Sequence, residues 1–333
     1  MAEPAVAQLE ECLVIANPVA GTVGEELVRD VAARCARHTR VTVVRTTAPG
    51  DATEAARQAA GRPPADGIRV VVAVGGDGTV LEVADGLMAD GAPGDHVALL
   101  IVPAGTGNSG YRSHWGERPW QEAVDHALGS PRRTLRRLDL ARVRELDALV
   151  VLGAGAGLTA EVLRSARDLP QRGRARLQAG LEHAAASYTP YQGRVTVDGT
   201  VVHEGRTVFV NIGGGRHRAW QYLVLPHSVL DDGLLDICVM GEGTDPVEVP
   251  ALLRAGRHLE RPGAVHRTGR TVVVERTDGR PLSFEHDGEL VRYDGTKVTL
   301  DVLPGVLPVL RDPQPATPAA QAAAPFTAAG ARR

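Results

Sequence analysis

The first third of the chain alternates apolar strand-like runs with helix-like stretches. CLVIANPVAG (12–21) is a β-branched run that ends in an Asn-Pro turn, and EELVRDVAARCARH (25–38) follows as a helix. The order then repeats: RVTVVRT (40–46) predicts a strand, GDATEAARQAA (50–60) a helix opened by Asp51, and IRVVVAVG (68–75) a third strand. A helix over roughly 80–90 and the strand HVALLIVPAG (96–105) keep the rhythm. Strands that alternate with helices predict an α/β layer around a mostly parallel sheet.

After the Arg-rich PRRTLRRLDLARVR (131–144) the pattern changes. From about residue 194 onward, short alternating runs such as GRVTVDGTVV, RTVFVNIGGG, LLDICVMG, RTVVVERTDG and KVTLDVLPG are joined by Asp-Gly or Gly-rich turns, the mark of antiparallel hairpins. One helical insertion is expected at roughly 159–186. The Ala/Pro-rich end (312–333) has too little apolar content to pack and is expected to be disordered. No internal repeat is evident.

Composition narrows the class. A chain of 333 residues with 43% hydrophobic content can bury two ordinary cores. A formal net charge of −3 argues against a general nucleic-acid binder, which needs net basic surface. Cys12, Cys35 and Cys238 lie far apart without metal-ligand spacing, which fits a reduced cytoplasmic setting. No stretch approaches the roughly 20 apolar residues that span a bilayer, so any membrane contact is expected to be peripheral.

Chemistry concentrates where strands end. In VVVAVGGDGTVLEVADGL (71–88) a strand breaks into glycines before a helix restarts, and such a turn lets backbone N–H groups and a helix amino terminus approach an anion. Asp77 inside that cradle would repel phosphate unless a divalent cation, most often Mg²⁺, lies between them. Taken alone, GGDGT is equally an ordinary turn. A second Gly-rich turn, VPAGTGNSGYR (102–112), follows the next strand, and NPVAG (17–21) follows the first. Three such turns at equivalent strand ends can converge on one ligand. None is a Walker A loop or a G-x-G-x-x-G fingerprint.

The ordered set NPVAG (17–21), TTAPGDATEAAR (46–57), GGDGTVLEVADGL (75–87), PAGTGN (103–108), RRLDLARV (136–143), DDGLLDI (231–237) and HDGELV (286–291) resembles the diacylglycerol kinase catalytic family, which includes bacterial lipid kinases and sphingosine kinases. The resemblance implies an α/β nucleotide-binding domain over 1–137, related to the phosphofructokinase and NAD kinase folds. A β-rich antiparallel sandwich that binds the acceptor would follow over 138–303, with 304–311 returning to the first domain. It implies that Asn17, Thr46, the loop Gly75, Gly76, Asp77, Gly78, Thr79 and Val80, and Thr106 meet ATP, supported by Glu82 and Asn108. Asp232, with the carbonyls of Val229 and Leu234, would hold a structural Mg²⁺. Of the two acids in HDGE, Glu289 is favoured as proton acceptor and Asp287 as metal-water ligand or alternative base. Phosphoryl transfer needs just such parts: a metal link, fixed dipoles and one acid. HDGE is also a type I′ hairpin signal, and DDGLLD is open to the same turn reading.

Two departures matter. Ser109 stands where bacterial lipid kinases usually carry Asp, and Thr22 and Val23 stand where a lysine often follows the first motif's glycine. The resemblance therefore implies an ATP-dependent lipid kinase acting on a diacylglycerol-like hydroxyl. The alternatives are a kinase of the same fold acting on a small metabolite hydroxyl, and a nucleotide-binding regulator without catalysis. The Arg-rich runs 164–176 and 132–137 either meet acidic groups or are solvated helix faces. The sequence fixes no oligomeric state and is compatible with a homodimer.

Overall fold

The computed structural model describes residues 8–18, 23–63, 67–130 and 135–311. The disorder expected at 312–333, and part of the NPVAG and RRTLRR motifs, lie outside the described residues.

The first lobe runs β1 (Gln8–Ala16), α1 (Glu25–Cys35), β2 (Arg40–Arg45), α2 (Asp51–Gly61), β3 (Gly67–Gly75), α3 (Asp77–Met88), β4 (Val97–Pro103), α4 (Ser109–Trp115) and α5 (Trp120–Gly129). Its strands are parallel in the order β2-β1-β3-β4, with Val14 beside Val72 and Val72 beside Leu100. A parallel sheet covered on both faces needs strands that are apolar throughout, and Val70–Val74 and Val97–Val102 are buried without alternation. Arg69 is the exception inside this core at 1% exposure. It is tolerated because its guanidinium meets Glu10 at 3.0 Å and Glu11 at 2.8 Å and donates to the carbonyl of Ala59.

The second lobe begins earlier than the hairpin pattern suggests. β5 (Leu135–Val143), β6 (Ala148–Val150) and β7 (Ala154–Gly157) come before the helical insertion. That insertion is two helices, α6 (Leu158–Arg167) and α7 (Gly173–Ser187), with Pro170 in the break, where it removes a donor and disfavours helix at Leu169. There follow β8 (Tyr191–Val197), β9 (Thr200–Gly213), β10 (His217–Arg218), β11 (Tyr222–Leu223), β12 (Leu235–Gly241), α8 (Val249–Ala255), β13 (Val265–Gly269), β14 (Thr271–Arg276), β15 (Phe284–His286), β16 (Glu289–Leu290) and β17 (Lys297–Leu310). β8 and β9 turn on Asp198 and Gly199, both at positive φ, and β15 and β16 turn on Asp287 and Gly288 in the same way.

One strand joins the lobes. The start of β17 pairs antiparallel with β14, its length pairs with β5, and its end reaches the parallel sheet, where Val309 lies beside Leu99 of β4. Among the described residues the result is a continuous mixed sheet of fifteen strands, with an α/β lobe at one end and an antiparallel β-sandwich at the other. A third apolar cluster, including Leu158, Leu181, Phe209, Met240 and Leu253, packs α6, α7 and α8 against β9 and β12. The carboxyl ends of β3 and β4 thereby face a cleft against the sandwich.

Candidate active site

Two glycine-rich turns touch at the carboxyl ends of β3 and β4. A methyl group on Gly105 would run into the Cα of Gly76, and one on Gly75 would run into the Thr79 side chain. No side chain caps α3 at Gly76, which leaves the amino end of that helix available to an anion. Asn108, at φ 49°, closes the second turn on itself, accepting from Gly105 N–H at 2.8 Å and donating to Gly105 C=O at 2.9 Å. Asn17 Nδ2 reaches Thr79 Oγ1 at 3.4 Å, so the first strand end joins the same cradle. Thr46 is buried where β2 ends, its N–H donating to Ala16 C=O. Glu82 accepts from Gly50 N–H at 3.3 Å and thus holds the loop before α2. Thr106 is exposed on the second turn, and its carbonyl accepts from Arg174 of α7 at 3.0 Å, a direct tie between the lobes.

Asp77 points into the cleft. Its Oδ2 accepts from Ser109 N–H at 3.1 Å and its Oδ1 from Gly110 N–H at 3.0 Å, so the acid of the first turn holds the start of α4. Burial raises its pKa, an effect those two amides oppose. Across the cleft Asp287 is buried in a left-handed conformation at φ 51°. Its carboxylate accepts from the N–H groups of Val151, Leu152 (2.6 Å) and Gly153, the link from β6 into β7. HDGE is therefore a hairpin turn and part of the cleft at once.

Asp77 and Asp287 line one cavity of about 300 Å³. The same cavity is lined by the polar side chains of Ser109, Asn211, Arg218 and Glu285 and by the aliphatic ones of Leu152, Val162, Leu163, Leu177, Val224 and Leu253. Arg218 is half-buried near the carboxylates, donating to the carbonyls of Gly215 at 2.9 Å and His217 at 3.1 Å, and desolvation lowers its pKa. Burial in turn pushes the Glu285 carboxyl up to about 7, with Arg218 opposing the rise.

Not every expected residue is brought here. Glu289 is exposed on β16 and is not among the residues that line the cavity. The type I′ turn explains the difference, since two positive-φ residues separate the strand carrying Glu285 from the short strand carrying Glu289. Val229, Asp232 and Leu234 lie together on the loop before β12, away from the cavity lining. There Asp232 accepts from Leu234 N–H at 3.0 Å, and the nearby charges of Asp236 and Asp139 add to the upward shift that burial gives its carboxyl. No cluster of three or more His, Cys, Asp or Glu side chains with metal-holding geometry occurs among the described residues.

Sequence reasoning missed Glu285, Arg218 and Asn211. A period-two signal was available for the first, since Glu285 stands two residues before Asp287. Asn211 is a polar residue inside the apolar run VFVNI, which is itself a mark of a buried polar role. Arg218 has no comparable signal.

An α/β lobe and an antiparallel β-sandwich share one sheet, and an acidic cleft lies where they meet. Residues 11–143 match the family described as diacylglycerol kinase catalytic domain, and residues 153–311 match the YegS C-terminal NAD kinase beta sandwich-like domain. A protein named "Probable lipid kinase YegS-like" from Pseudomonas aeruginosa (strain UCBPP-PA14) is 30% identical over 301 residues, covering 87% of this chain and 94% of that one. A protein of the same name from Chromohalobacter salexigens is 30% identical over 264 residues, covering 78% of this chain and 79% of that one. A crystal structure described as a diacylglycerol kinase from Bacillus anthracis str. Sterne superposes with a TM-score of 0.67 at 20% identity over 91% of this chain and 97% of that one, a likeness of fold. The chain belongs to the diacylglycerol kinase catalytic family, in its YegS-like group of lipid kinases.

Proposed function

We propose that the protein is an ATP-dependent kinase that phosphorylates a hydroxyl of an uncharged, acylated acceptor of the diacylglycerol class. The observation that carries this reading is the lining of the cleft: the acid of the glycine-rich turn and the acid of the sandwich hairpin share one cavity with a set of aliphatic side chains. Such a cavity suits a molecule with a small polar head and a hydrocarbon chain.

The residues fit the nucleotide. Gly75, Gly76 and Gly105 keep side chains out of the cradle, and the uncapped start of α3 at Asp77, Gly78, Thr79 and Val80 suits phosphate, with Asn17, Thr46, Glu82, Thr106 and Asn108 around it. Bound Mg²⁺-ATP would supply the γ-phosphoryl group and the metal charge that steadies its transfer to the acceptor oxygen, with ADP leaving. Asp232 and the carbonyls of Val229 and Leu234 fit a structural Mg²⁺, since a cation there would relieve the crowding of Asp232, Asp236 and Asp139.

The chain's own work is positional and acid–base. Asp77 accepts the hydroxyl proton in this reading, the role expected of Glu289 from the motif. Each of its oxygens takes one backbone N–H and keeps lone-pair capacity for the hydroxyl, and burial raises its basicity. Asp287, held by three amides, fixes the acceptor head, and the aliphatic lining excludes water from the chain.

Incubating the purified protein with Mg²⁺ and γ-labelled ATP, beside a micellar acylglycerol panel and a polar metabolite extract, tests the reading. Label in the organic phase is the expected result. Label confined to a polar product would move the acceptor to small metabolites, and ATP binding without transfer would make the protein a nucleotide-dependent regulator.

A further inference from the structure

Around Gly155 of β7 three polar side chains converge without partners for their facing atoms. A methyl group on Gly155 would lie 2.6 Å from Glu285 Oε1, 3.2 Å from Asn211 Oδ1 and closer still to Thr159 Oγ1. Asn211 has no exposed surface, yet both its Oδ1 and its Nδ2 lack a hydrogen-bond partner, and Thr159 Oγ1 is likewise buried and unpartnered. Glu285 uses Oε2 for Gly288 N–H at 3.2 Å, a bond that leaves Oε1 packed over Gly155 with the Thr159 and Asn211 oxygens. All three residues line the cavity, and Arg218 Nη2, also unpartnered, lies beside them. Buried polar groups are nearly always paired, so several unpaired ones on residues that line one cavity point to a ligand with hydrogen-bonding groups of its own.

The charge of the cavity says what kind of ligand. Two carboxylates, Asp77 and Asp287, and the carboxyl of Glu285 surround one guanidinium, Arg218, with His286 hydrogen-bonded to Asp287 behind. An anionic head would be repelled, and an uncharged hydroxyl can donate to Glu285 or Asn211 while accepting from Asn211 Nδ2 or Thr159. A cavity of about 300 Å³ takes a small head and a length of one chain, at the lower bound of ordinary ligand pockets.

We propose that Glu285, Asn211 and Thr159 form a second polar subsite, which takes an additional, unphosphorylated hydroxyl of the acceptor, so that a singly acylated polyol is preferred over a fully acylated one. This rests on the acceptor reading given above, and it adds what the acceptor must carry beside the hydroxyl that is phosphorylated.

The test compares kcat/KM for three acceptors of one chain length: a 1-monoacylglycerol, the 1-acyl-propane-1,3-diol that lacks only the second hydroxyl, and a 1,2-diacylglycerol. The wild-type protein is expected to favour the monoacylglycerol over both others by about 10- to 100-fold, the scale of leaving a buried polar group unpaired. Glu285→Leu and Thr159→Val should each bring that ratio toward one, and Glu285→Gln, which keeps a carbonyl acceptor, should retain most of it. The ratio does not depend on the folded fraction of a variant. Equal use of all three acceptors by the wild type, or an unchanged ratio in Glu285→Leu, overturns the subsite and leaves the lipid-kinase reading standing. Failure to phosphorylate any of the three overturns both.

Discussion

The carboxylate of Asp77 accepts the backbone N–H of Ser109 across the junction of the two glycine-rich turns, at 3.1 Å. The acid that the motif marks out is thus also the group that fixes the start of α4, and chemistry and scaffold meet in one side chain. Asp77→Asn keeps the shape but removes the charge and the proton acceptor. Turnover is expected to fall by about 10²-fold or more, the scale of losing a general base. Steady-state kinetics at saturating ATP checks this, and turnover within a few-fold of wild type would remove Asp77 from that role.

The same contact bears on Ser109, which stands where the motif resemblance implies an acid. Ser109 is 4% exposed and its N–H is spent on Asp77. A second carboxylate there would be buried beside the first without a cation to pair it, and unpaired burial of this kind costs several kcal/mol at the upper end, or about 1–3 kcal/mol after relaxation. Ser109→Asp should therefore lower the thermal midpoint in chelator, and Mg²⁺ should recover part of the loss. A midpoint equal to wild type in chelator would mean that the cleft is wetter than its hydrogen bonds suggest.

The two acids of HDGE should separate cleanly. Glu289 is exposed on β16, whereas Asp287 holds Val151, Leu152 and Gly153 through their N–H groups. Glu289→Gln is expected to change turnover by less than about 3-fold, as surface substitutions usually do little. Asp287→Ala should lower turnover steeply and destabilise the fold by about 1–3 kcal/mol, because three buried amides lose their acceptor. Chemical denaturation and kinetics on the pair decide it: a large loss of turnover in Glu289→Gln would return the proton-accepting role to Glu289.

How much of this was legible beforehand follows from what each signal depends on. The parallel lobe was readable because a two-face-covered strand must be apolar throughout, as at Val70–Val74, and because Gly75, Gly76 and Gly105 mark backbone contact. β5 and β7 were not read as strands: β5 carries Arg136, Arg137 and Arg142 on exposed or pairing edges, and β7 is only Ala154–Gly157. The cleft was half legible. Asp77 and Asp287 stand in turns with fixed residue types, and Asn211 interrupts an apolar run, but Arg218 becomes a site residue only through the β10–β11 hairpin, which local pattern does not encode.

The loop that carries Asp232 offers a metal-dependent prediction away from the cleft. Asp139 pins this loop through Gly233 N–H at 2.6 Å and ties it to β17 through Gly305 N–H at 2.7 Å, so a cation bound at Asp232 would stabilise the seam between the lobes. Millimolar Mg²⁺ should raise the thermal midpoint of the wild type without nucleotide, as any ligand of the folded state does. Asp232→Asn should lose most of that increment. An equal Mg²⁺ response in the variant would move the metal elsewhere.

Glu285 gives the fold a pH dependence whose sign can be worked out. Its carboxyl titrates at about 7 when folded, against an ordinary glutamate value of roughly 4.3 in the unfolded chain. Between those values the folded state binds the extra proton, so stability is greatest below about pH 4.3 on this account and is lost as pH rises through 7. The span corresponds to about 4 kcal/mol at most, since each pKa unit is worth about 1.4 kcal/mol. His114 works in the opposite sense: burial lowers its pKa to about 3, so its neutral form supports the fold above about pH 6.5 and that support is lost on acidification. Because the two overlap between pH 4.5 and 6.5, the wild-type profile should be flat there and decline toward pH 8. Glu285→Gln should remove the decline on the alkaline side and leave the acid loss, making the variant more stable than wild type at pH 8 and no better at pH 4.5. Urea denaturation at the two pH values measures the difference, and a variant that gains nothing at pH 8 would show that the carboxyl is already ionised in the folded cleft at ordinary cost.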